Sequence, residues 1–304
     1  MQIRHKQKKS GFRDIGIDRI FYVTNNFFLL LFAIVCLYPL IYVLSQSFSS
    51  PTAVLTGQVR LWPVDPSLKG YTTVFQNQSV FTGYRNSALY TSVGTLLNVA
   101  MTLLAAFPLS RKELVGRFGI SFFFIFTMWF NGGMIPTYIL MRDLNFINTP
   151  MAMWFPGMIS MWNVIITRTY FQNTIPEELF ESASLDGCTY RQYFTHIVLP
   201  LSGAIIAVIS LFCAVGHWNS FFNAFLYLNN KELFPLQVVL RNILLQNAFT
   251  TEAIASIQSD ATEAGTQELL KYSLIMVACV PVWCAYPFVQ KFFVKGVMVG
   301  SIKG

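Results

Sequence analysis

The sequence predicts an all-α membrane protein with six transmembrane helices, and three observations carry that reading. The 304-residue chain is 54% apolar, with a mean hydropathy of +0.50. Only 12% of its residues are charged, against about a quarter in soluble domains. Six segments approach the roughly 20 apolar residues that cross a bilayer: 26–46, 87–109, 118–140, 150–171, 202–228 and 270–293. One membrane domain covering 1–304 is implied, with no low-complexity tract and no clear internal repeat.

The first span follows a basic segment, 1–25. It is too long for the apolar core of a signal peptide, and the Ser/Pro/Thr loop behind it reads as an ordinary extracellular connection. That loop, about 47–85, contains "LWPVDPSLKGYTTVFQN". Pro63, Asp65, Pro66 and Gly70 are turn formers, and the stretch from Leu68 to Phe75 predicts a short surface helix. The third span carries "FNGGMIPTY" at 130–138. Two glycines and Pro136 predict a break or bend there, since Pro frees a carbonyl that neighbouring groups must re-satisfy in lipid. Pro39, Pro108, Pro156 and Pro281 mark further kinks within or beside spans. The last loop, about 229–269, sets Leu236, Val239, Leu240, Ile243 and Leu244 at helical spacing, which predicts a second interfacial helix. The acidic stretch "TTEAIASIQSDATEAGTQE" beyond it suits a solvated external face.

The net charge is +7, and its distribution sets the expected orientation. Arg4, Lys6, Lys8, Lys9, Arg13 and Arg19 lie before the first span. Arg111, Lys112, Arg117, Arg168, Arg191, Lys291, Lys295 and Lys303 fall on the same side if the number of spans is even. Arg60, Lys69, Arg85, Arg142, Lys231, Arg241 and Lys271 are spread over longer loops on the other side. The positive-inside rule therefore predicts that both termini, and the loop at 172–200, are cytoplasmic. Topology explains the basic balance without nucleic acid.

Several classes are weighed down by what is missing. No acid lies deep in a predicted span, which counts against an ion-coupled carrier. No G-x-x-x-x-G-K-[ST], H-E-x-x-H or G-x-S-x-G occurs. The cysteines (Cys36, Cys188, Cys213, Cys279 and Cys284) show no CxxC spacing, and His5, His196 and His217 share no ligand spacing. The chain is expected to hold no metal and no cofactor and to have no catalytic site. Energy for uphill transport would come from another subunit.

The segment "ESASLDGCTYRQYFTHIVLP", 181–200, is far too polar for lipid. Thr174-Ile-Pro-Glu177 reads as a capping box opening a helix over about 175–185, with Glu178 a second acid near the positive end of the helix dipole. Gly187 ends that helix by adopting positive φ. Thr189-Tyr-Arg-Gln192 reads as a second capping box, for a helix running to Leu199, and Pro200 sets the entry into the fifth span. Small residues in a row, Ser182, Ala183 and Ser184, permit close approach by another surface, with Leu179, Phe180 and Leu185 as apolar anchors. By composition alone the segment is equally an amphipathic connector resting on lipid headgroups.

Its spacing resembles the EAA loop of permease subunits of bacterial ABC importers: Glu-Ala-Ala, three residues, Gly, nine residues, then Ile-x-Leu-Pro. Glu181, Ala183, Gly187, Ile197, Leu199 and Pro200 occupy those places. Ser182 replaces the usual Ala, and Asp186 before the Gly is typical of the sugar-importing branch. "NSALYTSVGTLLNVAMTLLAAFPLSR", "HWNSFFNAFLYLNNKELFPLQ" and "QKFFVKGVMVGSIKG" resemble the second span, the fifth span with its loop, and the C-terminus of maltose-type permeases. Phe107 and Pro108 depart from the usual "AYALSR". "FNGGMIPTY" resembles the subfamily for complex oligosaccharides such as aldouronates and pectin fragments.

The resemblance implies a type I ABC importer permease fold of six spans with a cytoplasmic coupling helix. It implies assembly with a second, different permease, two copies of a cytoplasmic ATPase that binds ATP and Mg2+, and an extracytoplasmic sugar-binding protein or lipoprotein. The residues expected at the ATPase are Glu178, Glu181, Ser182, Ala183, Asp186, Gly187, Ile197, Leu199 and Pro200. Sugars are held by planar amides and aromatic faces, so the expected sugar path uses Trp129, Asn131, Trp162, Asn163, Trp218, Asn219 and Asn223. Against this, Trp favours membrane interfaces and Asn can simply link helices. An importer for another solute, a membrane enzyme and a channel stand as alternatives.

Overall fold

The computed structural model describes residues 16–254 and 261–301, and every regular element among them is helical. α1 (Gly16–Ser47) begins well before the expected span and is exposed over its apolar length. Among the described residues it meets the rest of the chain towards its end, where Tyr42 packs edge-on to Tyr272 of the last helix, Ser45 donates to the Leu61 carbonyl (2.6 Å) and Ser47 pairs with the Tyr71 hydroxyl (2.8 Å). α2 (Pro51–Leu55) starts on Pro at its first turn and is capped by Ser50, which accepts from Ala53 N; Pro loses nothing there because that N–H has no helical partner. α3 (Lys69–Gln76) is the expected surface helix.

α4 (Gln78–Ser110), capped by Asn77, is the central strut. α5 (Arg117–Trp129) and α6 (Met134–Asp143) cover the predicted third span, which is broken where "FNGG" predicts it: the two helices meet at 111°. Gly133 sits there at φ +91°, a backbone conformation that favours glycine. The fourth predicted span, 150–171, is not one helix. α7 (Met151–Trp154) and α8 (Met161–Thr174) are separated by a turn in which Gly157 has φ +76°. Pro156 and Gly157 end the helix inside a run apolar enough to read as continuous.

Next come α9 (Glu177–Leu185), α10 (Tyr190–Tyr193), a π turn at Phe194–Val198, and α11 (Leu199–Leu201). α12 (Gly203–Trp218) leaves α11 at a 79° bend. α13 (Phe222–Tyr227), α14 (Leu236–Ile254) and α15 (Ala261–Ser301) complete the chain. The fifth span, expected over 202–228, is thus interrupted between Trp218 and Phe222. α14 is the expected helix of the last loop, but it packs against α4 and α15. Part of the acidic stretch after it lies outside the described residues.

α4 holds these pieces together through small and polar side chains, the usual means of association between membrane helices. α8, α12 and α14 all pack on it. Asn86 donates to the Glu232 and Phe234 carbonyls, Tyr90 to that of Leu233, and Ser87 accepts from Leu236 N. Among the described residues, α1, α4 and α15 are each long and apolar enough to cross a bilayer, and the two bent pairs bring the possible crossings to five.

Candidate functional site

The polar hairpin forms one end of the α4–α8–α12 bundle. Gly187 has φ +76° with nothing within 4 Å of where a Cβ would stand. It therefore ends α9 by backbone conformation and not through crowding. Thr189 and Gln192 form the expected reciprocal capping box. The box expected at Thr174 does not form: Thr174 completes α8, and the N-cap of α9 is Pro176, which has no hydroxyl. Glu177 turns instead to Lys112, 2.7 Å away. That hydrogen bond, helped by the ammonium charge, lowers the Glu177 carboxyl pKa and raises that of Lys112. The helix after the box runs past Leu199 to Leu201 through the π turn, where Leu199 N reaches the Phe194 carbonyl.

α9 has an inner and an outer face. Ala183 is buried, and its carbonyl accepts from Cys188 N at 2.9 Å. Ile197 and Leu199 pack beside the same core. Glu178, Glu181, Ser182, Leu185, Asp186 and Gly187 are exposed, as is Pro200. The small side chain at 183 thus serves packing within the chain, and the outward surface is acidic with two exposed leucines, Leu179 and Leu185. Leu185 is 91% exposed.

Arg111, read from sequence only as a charge and as the last residue of the stretch that resembles the second span, proves structurally central. It caps the C-terminus of α4. Its guanidinium carbon lies 5.4 Å from the Phe107 ring centroid, 4.8 Å from Phe180 and 4.8 Å from Tyr193. Cation–π contacts of this kind contribute about 0.5–2 kcal/mol each. A cleft of about 500 Å³ opens beside it, between 110–113 and 171–178.

The sugar-path candidates divide. Asn163 and Asn223 line one cavity of about 260 Å³, together with Asn98, Cys213, His217 and Ser220. Asn98 donates to the Gly157 carbonyl at 3.3 Å and lies 3.4 Å from His217 Nε2. Among the described residues, no Lys, Arg, Asp or Glu lines this space. Trp218 is elsewhere: it is buried, its indole N–H donates to the Ala278 carbonyl at 3.0 Å, and it packs edge-on to Tyr84. Asn131 accepts from Gly133 N in the turn between α5 and α6. Asn219 is exposed and donates to Val215 O. Trp129 and Trp162 face outward. Asn98, His217 and Ser220 were missed. Their only sequence signal is polarity within apolar runs, and the fold alone brings them together.

No protein-family profile matches the chain. The polygalacturonan/rhamnogalacturonan transport system permease protein YtcP of Bacillus subtilis is 38% identical over 292 residues, covering 94% of this chain and 99% of that protein. The chain belongs to the permease family of carbohydrate ABC importers. Protein LplC of the same organism is 35% identical over 286 residues, covering 94% and 96%. A solved bacterial ABC transporter involved in the import of the acidic polysaccharide alginate superposes with a TM-score of 0.81 at 34% identity, covering 91% of this chain and 97% of that one. The permease therefore has the all-α importer permease fold expected of it. It is a transport subunit and not an enzyme, and a membrane enzyme, a channel or a non-sugar importer fits these relatives less well.

Proposed function

We propose that the permease passes an oligosaccharide across the bacterial cell membrane as one half of a heterodimer with a second, different permease. Both termini and α9 face the cytoplasm, where two copies of an ATPase bind ATP and Mg2+, and an extracytoplasmic binding protein delivers the sugar. The observation that carries this reading is the form of α9. Its inner face is fixed to the bundle, while Glu178, Glu181, Ser182 and Asp186 stand exposed beyond it. That is the form of a helix seated in another protein, and its closing cleft would drive the spans between two states. Gly187, Ile197, Leu199 and Pro200 set the angle of the helix that follows.

An oligosaccharide suits the uncharged cavity, where Asn98, Asn163, Ser220 and Asn223 offer hydroxyl-binding groups and Phe212 an apolar surface. YtcP and the alginate importer are named for carbohydrate polymers, which supports the same class. The second permease would cover α1 and α5, which expose apolar side chains along most of their lengths. Purification of the tagged permease from its own cells tests the assembly. The expected complex holds one distinct permease and two ATPase copies per chain. Recovery of the chain alone, or only with itself, would contradict it.

A further inference from the structure

We infer that Arg111 is the positioning residue through which displacement of α9 reaches α4, an inference resting on the coupling role proposed above. One guanidinium is held against rings from three helices: Phe107 of α4, Phe180 of α9 and Tyr193 of α10. The rings also hold one another. Phe180 meets Tyr193 edge-on at 5.1 Å and stacks on Tyr190 at 5.4 Å, while Phe107 lies 4.8 Å from Phe194.

Nothing else fixes this cation as firmly. Arg111 forms no ion pair among the described residues, and its buried Nε has no hydrogen-bond partner among them. Its position is therefore set by ring faces, and any tilt of α9 that carries Phe180 must carry the guanidinium or break the contact. The backbone end is fixed: Arg111 N donates to the Pro108 carbonyl at 3.0 Å, and the Arg111 carbonyl accepts from Arg117 Nη1 at 3.3 Å. A ring moved at one end thus pulls on the last turn of α4, the strut on which α8 and α12 pack. A planar cation that stacks on aromatic faces suits this joint better than the point charge of lysine.

The test uses the whole transporter, reconstituted with its binding protein and a labelled oligosaccharide. Arg111→Gln is expected to assemble with the ATPase at wild-type stoichiometry and keep its basal hydrolysis. Stimulation of hydrolysis by the loaded binding protein, per assembled complex, is expected to fall about tenfold, the scale of losing a desolvated cation–π contact. Arg111→Lys should recover part of the loss. Phe180→Leu should reproduce it, and the double variant should be no worse than either single, as for groups acting through one contact. Normal stimulation in Arg111→Gln would overturn the inference and leave the functional reading standing. If Arg111→Gln fails to assemble, normal stimulation in Phe180→Leu overturns it equally. A wild-type chain that binds no ATPase would remove the functional reading, and this inference with it.

Discussion

Lys112 Nζ lies 2.7 Å from Glu177 Oε2, joining the segment after α4 to the first turn of α9. Both side chains are largely exposed, so the pair holds orientation more than stability. The Glu177 carboxyl pKa is lowered, chiefly by the hydrogen bond from Lys112. Its contribution is present above the unfolded carboxylate value and is lost as pH falls through the lowered folded value. Lys112→Met should leave thermal unfolding at neutral pH nearly unchanged. Any difference from wild type should shrink as the pH is lowered, and a difference that grows in acid would contradict the assignment.

Gly94 and His217 fix how closely α4 and α12 approach. A Cβ at position 94 would stand 2.5 Å from His217 Cε1 and Nε2. Gly94→Ala should therefore cost about 1–3 kcal/mol through overpacking, seen as a lower unfolding temperature in detergent. Wild-type stability in that variant would mean that the His217 ring turns aside and does not hold the two helices at their spacing.

Trp218 should behave as a structural anchor. Trp218→Phe removes its bond to the Ala278 carbonyl and should cost about 1 kcal/mol, with uptake per assembled complex unchanged. Trp218→Ala should cost about 3–5 kcal/mol and lower the assembled yield. A changed sugar affinity in Trp218→Phe, with stability intact, would put Trp218 back on the path.

Asn223 should behave in the opposite way, since it lines the polar cavity and is only partly buried. Asn223→Ala should raise the KM of uptake about fivefold, the scale of one lost hydrogen bond, without altering assembly. An unchanged KM would separate this cavity from the sugar path.

The hairpin was legible because its signals are local: Gly187 at positive φ and the Thr189–Gln192 box follow from adjacent residues. The break before Gly133 was legible for the same reason. The break near Gly157 was half legible: Pro156 marked a kink, but Met153, Trp154, Phe155 and Met158 keep the run apolar across it, so a full interruption did not show. Thr174 matched a capping pattern but was already taken up by α8. The cavity was half legible. Asn163 and Asn223 were candidates by type, whereas Asn98 and His217, 119 residues apart, meet only through the packing of α12 on α4. Trp218 had the right residue type, and a tertiary partner on α15 redirected it. Arg111 gave no signal beyond its charge and its place at the end of the "PLSR" stretch, since its three rings come from separate helices.

The proposed coupling of α9 to an ATPase is tested most directly at Gly187. Substitution there meets no neighbour, so Gly187→Val acts through backbone strain, about 1–2 kcal/mol or more for a β-branched residue. Glu181→Lys reverses a charge on the exposed face. ATPase pull-down and substrate-stimulated hydrolysis should be measured together in wild type, Gly187→Val and Glu181→Lys. The expected result is that both variants insert with the second permease, while the ATPase dissociates or hydrolyses ATP without transport. Normal assembly and normal stimulation in both variants would contradict the coupling role of α9.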